Sequence, residues 1–119
     1  MFVQADLTPV PSFGALVDDG SDAYHFDITW NRDMFQCDMA DLAFAVDILI
    51  DGEEVGLSYL PASGWQTNRI CRIGFEADIY TGPVTFSYDG AVPGYLNEFR
   101  STLNLPAADI TNQSIGTIT

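Results

Sequence analysis

The groups in this chain best equipped for chemistry are acids. Asp18, Asp19 and Asp22 flank Gly20, and Asp51, Glu53 and Glu54 flank Gly52. Acidic loops suit calcium, which takes roughly six to eight oxygen ligands. Neither loop has the alternating Asp/Asn, Gly and closing Glu of an EF-hand. Asp18, Asp19 and Asp22 are the calcium candidates, set against the plainer reading of a solvated turn, and no cofactor is expected. Seventeen acids always offer carboxylate pairs of the kind that hydrolyse glycosides, but nothing in the spacing singles one pair out.

His25 is the one histidine. Nucleophilic catalysis would need it beside a Ser or Cys and an Asp. It falls on the opposite strand face from Tyr24, Phe26 and Ile28, which reads as an exposed or hydrogen-bonded strand histidine. There is no phosphate-cradling glycine loop, and no enzymatic activity is expected. Cys37 and Cys71 leave two readings open: one bridge between strands, or two free thiols in the core. No CxxC pair or Cys/His cluster has zinc spacing.

Trp30, Trp65, Tyr80, Tyr88 and Tyr95 could form a sugar-binding platform or fill a core. Strand phase assigns Trp30 and Tyr88 to the core. Trp65 follows Pro61-Ala62-Ser63-Gly64 and is expected to be the exposed one. Interfaces favour Trp and Arg, so Trp65, Arg69 and Arg72 form the leading contact patch. Arg32 and Arg100 are further interface candidates.

The balance of charge bounds the partners. The 119 residues carry 17 acids, thirteen of them Asp, against four arginines and no lysine, for a formal net charge of -13. Yet 47% of the chain is hydrophobic, which argues for a folded module and against disorder. Nucleic acids and anionic membranes bind chiefly through Lys and Arg, so neither is an expected partner. No apolar run reaches the roughly 18 residues of a membrane-spanning helix. The first residues lack the basic and apolar regions of a secretory signal, and Met1 reads as a translation start.

The elements that position these groups are strands. Tyr24, Phe26, Ile28 and Trp30 share one face, and His25, Asp27 and Thr29 the other. Phe44, Val46, Ile48 and Ile50 repeat the pattern, as do Val84, Phe86 and Tyr88. Residues 65–75 read as one long strand with Cys71, Ile73 and Phe75 on one face. Asp51-Gly52 and Asp89-Gly90 are turn dipeptides, and Pro9 and Pro11 make the first segment an edge strand or an irregular one. Asp38 can cap a short helical turn. Residues 95–103 suit one or two more, and residues 108–119 read as a last strand. The expected architecture is a single domain over 1–119: an all-β antiparallel sandwich of about seven strands.

Four stretches carry a resemblance. Phe26-Asp27-Ile28-Thr29-Trp30-Asn31-Arg32-Asp33-Met34 resembles the strand and following polar-x-x-Met segment of bacterial immunoglobulin-like repeats in surface-layer and adhesion proteins. Residues 44–55 resemble their next strand and its Asp-Gly hairpin. Gly82-Pro83-Val84-Thr85-Phe86-Ser87-Tyr88 resembles their late Val-Thr-x-x-Tyr strand. The segment ending in Ile110-Thr111-Asn112-Gln113-Ser114-Ile115 resembles the connection into a final strand. The likeness spans about residues 9–119 and implies an immunoglobulin-like sandwich. Such repeats usually stand in tandem, whereas single domains of this size occur in tailed-virus particles as capsid decoration or tail proteins.

Two accounts fit the acidity. Asp-rich, lysine-free surfaces resemble those of salt-accumulating halophiles, whose repulsion is screened when the Debye length falls to about 3 Å at 1 M salt. A coat protein that must avoid nucleic acid and self-aggregation would look the same. The expected role is a non-enzymatic structural protein on a virion surface, contacting capsid or tail subunits and further copies of itself. The alternative is a carbohydrate-binding or calcium-dependent adhesion module.

Overall fold

A computed structural model describes residues 7–55, 57–58, 63–90 and 98–119. In chain order the elements are β1 (Pro11–Phe13), β2 (Val17–Gly20), β3 (Ala23–Trp30), α1 (Met39–Leu42), β4 (Val46–Ile50), β5 (Glu53–Val55), β6 (Leu57–Ser58), β7 (Gly64–Trp65), β8 (Ile70–Glu76), β9 (Gly82–Tyr88) and β10 (Ile110–Ile118). They form two antiparallel sheets. One runs β1-β3-β8-β6, with β2 also on β3 and β7 also on β8; the other runs β10-β9-β4-β5. The all-β expectation holds, and so does the sandwich-like arrangement of two sheets around one core.

Alternation explains the packing. The core faces of β3 and β8 present Phe26, Ile28, Trp30, Cys71, Ile73 and Phe75, and those of β4 and β9 present Val46, Ile48, Ile50, Val84, Phe86 and Tyr88, all buried. The two sheets meet directly where Phe26 of β3 packs edge-on against Phe86 of β9, ring centroids 5.3 Å apart. Each fully buried side chain of this size contributes about 1.5–3 kcal/mol over its exposed state. This shared apolar face is the main force holding the sheets together.

Turn chemistry closes the strands. Asp51 and Gly52 take positive φ, 50° and 83°, to reverse β4 into β5. Asp38 caps α1, its carboxylate accepting the Ala40 N–H at 2.8 Å and the Asp41 N–H at 3.3 Å. The Pro-flanked first segment pairs with β3 alone, as an edge strand should.

Three expectations change. Residues 65–75 are not one strand, because Thr67 Oγ1 accepts the N–H groups of Arg69 and Ile70, both at 3.1 Å, and folds 66–69 into a turn. The chain becomes a hairpin in which Trp65 pairs with Cys71 and Gly64 with Arg72. Phe44 does not join β4. The turn after α1 continues through Ala45, whose N–H reaches the Leu42 carbonyl at 2.8 Å, and leaves Phe44 77% exposed. Of the helical turns expected over 95–103, residues 95–97 lie outside the described ones. Arg100 and Ser101 instead form β-bridges to Pro106 and Met34. Among the described residues the strands outnumber the seven or so expected, in part because the turn at 66–69 divides one segment into β7 and β8.

Candidate functional site

Two polar surfaces and one aromatic cluster account for most of the residues named from sequence. The aromatic cluster comes first because it decides what the others can be. Phe99 is fully buried. Trp30, Tyr88 and Trp65 all pack on it, with ring centroids 4.9, 4.7 and 6.3 Å away. Trp65 is therefore half-buried and not the exposed aromatic expected of it. Its indole N–H donates to the Cys37 carbonyl at 3.2 Å. Tyr80 also packs against the core, and Tyr95 lies outside the described residues.

The outer face of the larger sheet carries the first polar surface. His25 and Asp27 alternate outward from β3, opposite Gly74 and Arg72 of β8. Arg72 donates to both Asp27 oxygens, at 2.9 and 3.3 Å. This contact, its main cause, raises the guanidinium's pKa further. His25 Nδ1 lies 2.6 Å from the Asp19 carboxylate. Asp18 folds onto its own loop, accepting the Gly20 N–H at 2.8 Å. The three loop acids thus act separately: Asp18 in its turn, Asp19 on the histidine, and Asp22 at positive φ (65°) at the turn's end. Among the described residues, no three His, Cys, Asp or Glu side chains gather as a metal would require. Asp51, Glu53 and Glu54 are solvent-exposed around the β4–β5 turn.

The second polar surface lies at one end of the sandwich, where residues 31–35, 66–69 and 98–104 are tied together. The Met34 N–H donates to the Asn68 carbonyl, the Phe35 N–H to that of Arg100 and the Thr102 N–H to that of Asp33, at 2.8, 2.8 and 3.0 Å. Three of the four arginines meet here. Arg32 is half-buried just past β3. Arg69 Nε holds Asp33 at 2.9 Å. Arg100 pairs with Glu98 and donates to the Asn104 side chain at 2.7 Å. Phe35 and Leu103 stay 37% and 60% exposed beside them. Phe35, Arg100, Ser101, Thr102 and Asn104 line a shallow cavity of about 270 Å³.

The structure thus divides the patch drawn from sequence. Arg69 joins Arg32 and Arg100 at this end, Arg72 sits on the outer sheet face, and Trp65 turns to the opposite, core side of its hairpin. Phe35, Phe99 and Leu103 were missed because their setting depends on the long-range contact between 31–35 and 98–104, which no local periodicity reports.

Cys37 and Cys71 are both free thiols and both buried. Burial pushes the Cys37 thiol up from 9.0 to about 12 and raises Cys71 well above its ordinary value. Neither is suited to act as a thiolate nucleophile near neutral pH. Among the described residues, no helix is long and apolar enough to cross a membrane. No protein-family model matches the chain, and neither curated proteins nor solved structures give a match.

Proposed function

We propose that this chain is a non-enzymatic, immunoglobulin-like structural module of a virus particle, decorating the capsid surface. The observation that carries the immunoglobulin-like part of this reading is strand order. An immunoglobulin sandwich places strands A-B-E-D in one sheet and G-F-C in the other, with C′ beside C in variable-type domains. The order β1-β3-β8-β6 against β10-β9-β4-β5 follows that scheme. The hallmark inter-sheet disulfide of antibody domains has no counterpart here, since the two cysteines are free.

The arginine-bearing end supports a protein-contact role. Exposed Phe35 and Leu103 beside Arg32, Arg69 and Arg100 have the apolar-plus-arginine composition of interface centres. The net charge of -13 disfavours contact with nucleic acid and suits such a module. The sugar-platform alternative needs aromatic faces in solvent. Trp30 and Tyr88 are buried, and Trp65 and Tyr80 pack against the core, which favours the structural reading.

The test is the composition of native particles. Mass analysis of purified virions should find the chain at a fixed copy number per capsid. A Phe35→Asp variant should lose particle binding while keeping its melting temperature. Recovery as a free monomer, never bound to particles, would overturn the proposal.

A further inference from the structure

Every sheet edge invites pairing by another strand unless it is short, charged, interrupted by proline or covered. Most edges here are guarded. β1 has three residues and begins with Pro11; β5 has three and carries Glu53 and Glu54; β6 and β7 have two each. β2 is four residues long with Asp18 and Asp19 within it. β10 differs in length, charge and proline content. It is nine residues long, Ile110–Ile118, with no charge and no proline. It ends the smaller sheet, pairing with β9 alone. Among the described residues its outer side has no backbone hydrogen-bond partner. Two register shifts, between Ile110 and Gln113 and between Ser114 and Gly116, twist the strand but place no charge on it.

The flank around β10 is neutral as well. Leu16 lies against Gly116, so close that a side-chain Cβ there would meet the leucine at 3.0 Å. Residues 7–17 and 110–119, which meet at this contact, contain no charged side chain, in a chain of net charge -13. Val10 and Val17 of the first segment are exposed.

We propose that β10 is a self-association edge, pairing antiparallel with β10 of a second copy to continue the four-stranded sheet across a two-fold axis. Charge selects the second copy as occupant. Two molecules at -13 repel through most of their surfaces, and the neutral flank is where they can approach without setting acids face to face. An antiparallel strand pair is also self-complementary, as a two-fold interface requires. The inference rests on the edge itself and would hold whether or not the protein belongs to a virus particle.

Sedimentation equilibrium of the full chain, in sodium chloride from 0.05 to 1 M, tests it. A monomer–dimer equilibrium is expected, tightening by about ten-fold or more as the Debye length shrinks from over 10 Å to about 3 Å. A Ser114→Asp/Thr117→Asp variant should weaken the dimer by about ten-fold or more, because each exposed substitution faces like charge across the axis. Glu54→Gln on β5 should leave it unchanged. Amide hydrogen exchange of the unaltered protein gives a second readout: protection of 110–118 should rise with protein concentration. A chain that stays monomeric at millimolar concentration in 1 M salt would overturn the proposal. So would a dimer indifferent to the aspartates with no added protection at β10.

Discussion

The phenolic oxygen of Tyr88 accepts the backbone N–H of Phe99 at 2.8 Å, and their rings pack with centroids 4.7 Å apart. The pair joins the last residue of β9 to the segment that builds the arginine-bearing end. Both residues are buried, so the hydroxyl is the group that satisfies a backbone donor cut off from water. Tyr88→Phe keeps the ring and removes the acceptor. It should cost about 1–3 kcal/mol, the range for stranding one buried donor. Urea denaturation measures this, and an unchanged midpoint would show that the N–H finds another acceptor.

Alkaline pH should unfold the protein by a related route. Burial pushes the Tyr88 hydroxyl from 10.0 to about 12 and the Cys37 thiol from 9.0 to about 12, and raises Cys71 too. The fold favours the neutral form of all three. Their contribution is complete below pH 9 and is lost as pH climbs from there through about 12, where the unfolded chain ionises first. To order of magnitude, Tyr88 accounts for about 3 kcal/mol and Cys37 for about 4 kcal/mol. Denaturation midpoints from pH 8 to 12, taken at high salt to mute general repulsion, should fall steadily. The decline should be shallower in Tyr88→Phe.

Local pattern made much of this fold legible. The period-two runs at Tyr24-Phe26-Ile28-Trp30 and Val84-Phe86-Tyr88 became β3 and β9, and the Asp51-Gly52 and Asp38 signals became the turn and the helix cap. What stayed hidden depended on distance or on an unmarked turn. Thr67-Asn68-Arg69 has no glycine or proline, and its turn is made by a threonine hydroxyl; that serine/threonine-turn chemistry was the available signal. Phe99 gathers Trp30, Trp65 and Tyr88 from remote parts of the chain, and no spacing in the sequence announces it. The same holds for Arg32, Arg69 and Arg100, which read as scattered cations until 31–35 is set beside 98–104.

The thiols should be silent in the native protein. Cys37 and Cys71 are 3% and 0% exposed, and the thiolate is the reacting species. An aromatic disulfide reagent at pH 8 should label neither on a timescale of minutes, and both once the chain is unfolded in guanidinium. Failure to label two thiols after unfolding without reductant would show a bridge instead.

Gly82 opens β9 with φ at 124°, and a Cβ there would meet the Asp51 Cβ at 2.7 Å. Asp51 is itself fixed, its N–H donating to the Pro83 carbonyl at 2.8 Å. Gly82→Ala therefore meets both backbone strain and a clash against a turn with little room to yield. A loss of about 1–3 kcal/mol is expected. Gly52→Ala, with a similarly positive φ of 83° but open space around it, should cost less. Comparing the two melting curves separates conformational strain from contact.

Salt should decide what the acidity is for. The net charge is -13 without lysine, and among the described residues Arg69 pairs with Asp33, Arg72 with Asp27 and Arg100 with Glu98. Most acids therefore repel one another across the surface. Simple screening acts early, because the Debye length is already about 3 Å at 1 M and little repulsion survives beyond it. A surface adapted to a salt-rich interior should behave differently, with the melting temperature still climbing between 1 and 3 M potassium chloride. Thermal melts at 0.05, 1 and 3 M distinguish the cases. A rise that levels off by 1 M marks screening of a crowded anionic surface; a continued rise marks adaptation to high salt. A midpoint that does not rise at all would sink the halophilic account and show that the charges lie far enough apart to cost the fold little.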